Sequence, residues 1–334
     1  MKEEDILAIK KLLETPKKIA IIPHRSPDGD AMGSTLALYH FLLKDNHLPT
    51  VIAPNDFPNF LAWLPGSETV LIYENDRANT TKIINEAEIV FTLDFNALHR
   101  TGEMEQVLNK LSVPFIMIDH HQKPDDYATF TYSDTAFGST CEMVYNFISF
   151  LGEKEFIDKN IATCLYTGIL TDSGSFRFPK TTGTTHRIVA ELIDLGVENS
   201  EIPNLLFDNT SYNRLQLLGR ALQNMKVMPE FKTSYITLSQ KDLDEFQYEK
   251  GDTESIVNYG LTIKGIIFAA IFIEHRDENI IKISFRSQGS FDVNQFARDH
   301  FGGGGHINAA GGKSNLSMEE TIKKFETLIS KITL

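Results

Sequence analysis

Three short apolar runs in the first 120 residues each end in acidic or imidazole side chains, and this pattern restricts the architecture more than any other feature. Residues 19–23 (IAIIP) lead into His24, Asp28 and Asp30 within HRSPDGD. Residues 88–93 (EIVFTL) end at Asp94, and residues 114–118 (PFIMI) end at Asp119, His120 and His121. A fourth run, TVIAP, lies at residues 50–54, and helical patterns cover residues 31–43, 139–151 and 158–170. Strand–helix alternation of this kind predicts a doubly wound, mainly parallel α/β sheet. Open parallel sheets bind ligands beyond the carboxyl ends of their strands. Fold and residue chemistry therefore point to the same edge.

The chain then changes character. Residues 186–229 read as mostly helical, through THRIVAELIDLG, SEIPNLLFDN and SYNRLQLLGRALQNM, until Pro229 interrupts them. Residues 230–334 predict a smaller α+β domain with strands at YITLS, GIIFAAIFIEH and IIKISFRS. The loop HFGGGGHINAAGG follows, then a closing helix over residues 318–332. The expected organisation is a first domain over 1–185, a helical linker over 186–229 and a second domain over 230–334. At 334 residues and 42% hydrophobic content, such a chain can bury large cores without disulfides.

Composition excludes several classes. Cys141 and Cys164 stand far apart with no paired Cys or His nearby, which argues against a disulfide scaffold or zinc knuckle and fits a reducing compartment. The amphipathic start, with Ile6, Ile9, Leu12 and Leu13 on one face, does not read as a signal peptide. No run approaches the roughly 18 apolar residues of a membrane span, so the expected location is the cytoplasm. A net charge of −13 argues against long duplex DNA, whose binding relies on Lys and Arg. It leaves room for a short anionic substrate, because metal ions can supply positive charge locally. Association as a homodimer is left open.

Carboxylates gathered at one sheet edge repel one another, and some would be driven to protonate. Divalent cations remove that conflict. Mixed Asp and His donors without Cys suit manganese, iron or zinc. Asp28-Gly29-Asp30 can aim two carboxylates from one turn at two metal positions. Two ions together can activate water and stabilise a leaving oxygen in an in-line displacement, which is the chemistry of phosphoester hydrolysis. Each piece also has a structural reading: Asp28 as a helix cap, Asp94 as a loop start, Asp172 in GILTDSGSF as a turn. Adjacent His120 and His121 after a buried strand resist such a reading, and all the pieces converge on one edge.

These residues resemble the DHH phosphoesterase superfamily, which includes RecJ exonucleases and family II pyrophosphatases. Its motifs stand in order as HRSPDGDAMGS, LDFNALHR, the Asp119-His120-His121 triplet and GILTDSGSF, and GGGGHINAAGG is similar to the DHH-associated C-terminal domain. That C-terminal likeness is to the smaller subfamily, the nanoRNases (NrnA-like), which degrade short oligoribonucleotides and dephosphorylate 3′-phosphoadenosine 5′-phosphate. The resemblance implies two divalent ions, manganese first among them. His24, Asp28 and Asp94 would hold one; Asp30, Asp94, His120 and Asp172 would hold the other, with Asp94 bridging. It further implies that His121 lies by the scissile phosphate, that Asp119 orients a histidine, and that Arg100 touches substrate. Asn96 departs from the residues often found at its position.

In the second domain, Gly302, Gly303, Gly304 and Gly305 can present backbone N–H groups to an anion as a concave nest. His306 adds a donor, Ala309, Ala310, Gly311 and Gly312 keep the surroundings small, and Arg286 is placed for bidentate phosphate contact. The resemblance implies that these residues grip the nucleotide, favouring short RNAs. Cyclic or linear dinucleotides are the alternative substrates, and an inactive nucleotide-binding regulator is the alternative outside enzymes. Trp63, Phe176 and Phe178 read as packing residues.

Overall fold

β1 (Lys18–Pro23), β2 (Leu48–Ala53), β3 (Leu71–Ile72), β4 (Ile89–Leu93), β5 (Phe115–Asp119) and β6 (Phe130–Ser133) form one sheet. Their order is β3-β2-β1-β4-β5-β6, and every pairing is parallel. This computed structural model describes residues 1–44, 46–208, 211–276 and 278–332. The chain divides into two compact units, Met1–Asn209 and Thr210–Leu334, and the division falls inside the helical stretch 186–229.

In the first unit the strand period of two sorts side chains to both faces. Ile19, Ile21, Phe91 and Leu93 join one core, while Ala20, Ile22 and Val90 join the other. Helices cover both sides: α1 (Glu3–Leu13), α2 (Gly29–Lys44), α3 (Arg77–Glu86), α4 (Glu105–Leu108), α5 (Thr140–Phe150), α6 (Lys159–Asp172) and α7 (Gly183–Asp194). α2, α5 and α6 pack on the first face, α3 and α4 on the second. Each fully buried Ile, Leu or Phe contributes about 1.5–3 kcal/mol, so these two cores fix the strands firmly. The chain proceeds outward from β1 through β2 and β3, then returns to β4 on the opposite side of β1. That reversal makes β1/β4 the topological switch point, where crevices form.

Two local features bring α2, α5 and α6 into place. Ser139 caps α5 by accepting from Glu142 N at 3.1 Å, and Asp158 caps α6 by accepting from Asn160 N and Ile161 N at 3.0 Å each. Glycines let α2 and α6 approach closely: a Cβ on Gly29 would lie 2.5 Å from Thr171 Oγ1, and one on Gly33 would lie 2.6 Å from the Cys164 carbonyl oxygen.

The second unit is a mixed sheet of β7 (Lys226–Met228), β8 (Thr233–Leu238), β9 (Phe268–His275), β10 (Ile280–Ser287), β11 (Gly304–His306) and β12 (Ala309–Ser314). The order is β11-β12-β10-β9-β8-β7, with β8 and β9 parallel and the remaining pairs antiparallel. Phe268, Phe272 and Phe285 of the sheet pack with Phe296 of helix Val293–Phe301 and Phe325 of helix Met318–Ile329, and the other face is covered by Tyr212–Gln223 and Gln240–Glu245. The segment read as a Gly-rich loop is instead a hairpin of β11 and β12, with His306 paired to Ala309. Glycine carries no strand preference, so the pairing was hidden. It forms because Gly303 lacks the Cβ that would collide with the Gly311 carbonyl oxygen. Phe176 packs against the first core, whereas Phe178, expected to pack beneath the site, is 49% exposed and lies over Gly174.

Candidate metal centre

β1 and β4 deliver His24 and Asp94 to the switch point, and β5 delivers Asp119, His120 and His121 beside them. The turn after β1 supplies Asp28, which caps α2: its Oδ1 accepts from Asp30 N and Ala31 N at 3.1 Å each. The structural reading of Asp28 and its place in the cluster therefore hold together. Asp30 follows in the first turn of α2, and Asp172 is the last residue of α6. A carboxylate at a helix C-terminus opposes the helix dipole, which argues that something other than helix stability keeps it there.

Asp94 stands at the middle. Its Oδ2 lies 3.4 Å from His24 Nε2, and its Oδ1 lies 3.4 Å from His120 Nε2. His24 Nε2 is also 4.0 Å from Asp28 Oδ1. His120 Nε2 is 3.8 Å from Asp30 Oδ2 and 3.3 Å from Asp172 Oδ2. His24–Asp28–Asp94 and Asp30–His120–Asp172 form two groups with donor atoms within 4.8 Å of one another, and Asp94, Asp119 and His121 meet the same spacing beside them. One oxygen of Asp94 faces each group.

The rings are oriented for ligation. His24 Nδ1 lies 2.9 Å from the Arg25 carbonyl oxygen, and His120 Nδ1 lies 3.3 Å from that of Phe137. A carbonyl only accepts, so Nδ1 carries the proton in both rings and Nε2 faces the carboxylates. Metal-binding histidines are commonly fixed in this way. His121 Nδ1 donates to Asp119 Oδ1 at 2.7 Å, and the His121 backbone N–H donates to Asp119 Oδ2 at 3.1 Å.

Burial makes this arrangement electrostatically unstable by itself. Asp30 is 1% exposed, Asp94 2% and Asp119 0%. Burial first, then the charges of Asp94 and Asp172, push the Asp30 carboxyl well above its usual range. Burial raises Asp172 to about 6, against the lowering pull of His120. Burial alone would raise Asp94, yet hydrogen bonds from His120 and His24 outweigh it and hold Asp94 well below the usual carboxylate range. His120 is driven up to about 10: burial disfavours its cation, but Asp94, Asp172 and Asp30 overcome that. A proton on His120 is thus a weak substitute for a positive ion at the centre of three carboxylates. Oxygen and imidazole donors without thiolate, buried and crowded, fit divalent cations.

The backbone carries strain around the same point. Asp94 has φ +65°, Ser26 +56°, and Ser175 and Phe176, just after Asp172, have +59° and +64°. Left-handed non-glycine residues cost about 1–3 kcal/mol each and cluster at functional sites.

Arg100 lies in the short 3-10 segment Leu98–Met104 after β4; burial disfavours the His24 cation, but the Asp94 hydrogen bond and the charges of Asp28 and Asp94 raise its pKa on balance, and the Arg100 charge opposes that rise. Its carbonyl oxygen accepts from Arg25 N at 2.8 Å, joining the β1 and β4 turns. In the second unit, Arg286 on β10 pairs with Ala309 on β12, which pairs in turn with His306 on β11. Arg286 and His306 therefore share one row and one face, separated by a single small residue. The glycine nest is reduced: Gly303 N donates to the Ala297 carbonyl oxygen at 3.2 Å, Gly305 N donates to Asn294 Oδ1 at 2.9 Å, and Gly302 caps helix Val293–Phe301 with φ +56°.

Sequence reasoning missed two residues here. Thr140 is buried at the start of α5, where Ser139-x-x-Glu142 was a legible capping pattern, though nothing in the sequence showed what that turn faces. Lys180 is half-buried; burial lowers its pKa, opposed by Asp172, Asp134 and Asp119.

Residues 18–169 match the family model described as DHH family, N-terminal domain, and residues 231–332 match the DHHA1 domain. The bifunctional oligoribonuclease and PAP phosphatase NrnA of Thermus thermophilus is 30% identical over 308 residues, covering 92% of this chain and 86% of that protein. The crystal structure of an exopolyphosphatase-related protein from Bacteroides fragilis has a TM-score of 0.94 and 40% identity, over 99% of this chain and 96% of that one. RecJ from Thermus thermophilus, crystallised with Mn2+, shares the fold at TM-score 0.55 and 14% identity, over 99% of this chain and 55% of RecJ.

Proposed function

The chain belongs to the DHH family, and from that premise we propose that this phosphoesterase binds two divalent ions, manganese foremost, and hydrolyses short oligoribonucleotides and 3′-phosphoadenosine 5′-phosphate. The observation that carries the reading is Asp94, whose two buried oxygens each lie 3.4 Å from the Nε2 of a different histidine. In this reading His24, Asp28 and Asp94 hold one ion, and Asp30, Asp94, His120 and Asp172 hold the other. When bound, the ions supply positive charge that acidifies the attacking water and stabilises the leaving oxygen.

The remaining residues position substrate and protons. Asp119 accepts from His121 Nδ1 and fixes the ring's orientation, leaving Nε2 to take part in proton transfer at the scissile phosphate. Arg100 contributes a phosphate contact beside the β4 turn. In the second unit the Arg286–Ala309–His306 row offers a guanidinium and an imidazole with only a methyl side chain between them, a surface suited to a nucleotide phosphate. With the amides of Gly302, Gly303 and Gly305 engaged, the Gly302–Gly305 segment serves mainly to shape this face.

A net charge of −13 supports small substrates over long polyanions. The name of the Thermus thermophilus relative supports the two substrate types. Buried, unpaired Cys141 and Cys164 support action in a reducing compartment, the cytoplasm. The test is a panel of dinucleotides, longer RNA, 3′-phosphoadenosine 5′-phosphate, cyclic dinucleotide and pyrophosphate, each with manganese and with chelator. Manganese-dependent release of mononucleotides from dinucleotides is expected. Faster turnover of cyclic dinucleotide, or equal turnover of long RNA, would refute the substrate assignment.

A further inference from the structure

The first turn of α5 points directly into the metal centre. Thr140 N and Cys141 N donate to Asp30 Oδ2 and Oδ1 at 2.6 and 2.9 Å, so both oxygens of that carboxylate are fixed by backbone. Such N–H groups have no partner within the helix and need an outside acceptor. The Thr140 side chain does something different: its hydroxyl donates to Asp94 Oδ1 at 2.9 Å. The helix has its own cap in Ser139, which engages Glu142 N, so Thr140 is not needed for capping.

Asp94 has a particular need for such a contact. The terminal torsion of an aspartate is broad and nearly two-fold. Nothing intrinsic therefore keeps one oxygen toward His24 and the other toward His120. Thr140 is fully buried, and β-branching stiffens its χ1, so its hydroxyl is a fixed donor at one oxygen only. We infer that Thr140 is a positioning residue of the metal centre: it locks the rotation of the Asp94 carboxylate so that each oxygen meets a different ion. The inference rests on the two-ion reading and goes beyond it by naming what holds the bridging group in register.

The experiment compares the wild type with Thr140→Val, which keeps shape and backbone N–H but removes the donor, and with Thr140→Ser, which keeps the donor and loses the methyl group. Thr140→Ala replaces the valine variant if circular dichroism shows that the latter is unfolded. Manganese binding is followed by calorimetric titration and by low-temperature electron paramagnetic resonance, which reports a spin-coupled pair of ions. The wild type should bind two coupled ions. Thr140→Val should bind the second ion about 10–100-fold more weakly, the range typical when a group supporting a ligand is removed, and should lack the coupled signal at manganese concentrations that saturate the wild type. Thr140→Ser should restore both. Wild-type binding by the valine variant overturns the role, as does equal weakening by valine and serine. A wild type that binds a single ion overturns the two-ion reading instead, and this role falls with it.

Discussion

Gly168 on α6 gives the sharpest test of how helix packing sets ligand geometry. A Cβ at this position would lie 2.8 Å from Asp30 Oδ1 and 3.1 Å from Asp30 Cα, and it would also collide with Cys141 Sγ. Ordinary contact begins near 3.4 Å, so Oδ1 must retreat by about 0.6 Å, roughly three times the ~0.2 Å spread expected of ligand distances. The side chain cannot move alone, because Thr140 N and Cys141 N hold both of its oxygens. In Gly168→Ala, helix propensity favours alanine by about 1 kcal/mol, while overpacking costs about 1–3 kcal/mol. The metal-free variant should therefore lose at most about 2 kcal/mol of stability. Manganese affinity should fall by about 10–100-fold, or roughly 1.4–2.8 kcal/mol. Calorimetric titration and melting of the metal-free protein measure the two effects separately. Gly219→Ala, in helix Tyr212–Gln223 with nothing within 4 Å of the new Cβ, is the control and should gain stability with unchanged affinity. If Gly168→Ala binds manganese like the wild type, the claim that glycine contacts between α2 and α6 place Asp30 is wrong.

Asp94→Asn should retain the fold, since asparagine tolerates the left-handed conformation at φ +65°, yet lose nearly all activity; more than a few per cent remaining would refute bridging. Adding manganese at about 100 times its Kd should stabilise the protein by about 2.7 kcal/mol, seen as a rise in Tm that chelator reverses; an unchanged Tm would argue against binding. The metal-free Asp172 carboxyl protonates as pH falls through about 6, and the His120 ring keeps its proton until about 10. Manganese affinity should therefore drop below about pH 6, and binding near neutrality should release protons, that of His120 among them, measurable by calorimetry in buffers of different ionisation enthalpy; no proton release would contradict the His120 assignment. Arg286→Ala should raise KM for dinucleotides with metal content unchanged, and loss of metal would place Arg286 elsewhere.

The candidate cluster was more legible in the sequence than the elements that support it. Strand ends at His24, Asp94 and Asp119 were legible because apolar runs stop abruptly there, and β1, β4 and β5 are indeed neighbours. Short strands such as β3, with two residues, and β6, with four, left too little pattern to read. The β11–β12 hairpin was hidden by glycines whose value lies in close backbone approach, as at Gly303. Thr140 was out of reach for a different reason. Its partners Asp30 and Asp94 lie 110 and 46 residues away, and local patterns carry no information about such contacts.

The arrangement around Asp94 also explains why the cluster looks poorly designed as a folded core. Asp30 sits buried near two other carboxylates, Asp172 opposes a helix dipole, and Ser26, Asp94, Ser175 and Phe176 adopt left-handed backbone. Each feature costs stability when considered alone. They share a location, the switch point between β1 and β4, where strands packed on both faces give a rigid floor that resists relaxation. Positive charge at that location would reverse the sign of the electrostatic terms while leaving the strain in place. A site tuned only for stability would have replaced at least one of the acids with a neutral residue of similar volume. This cluster keeps all of its acids, a charge pattern that divalent ions would complete.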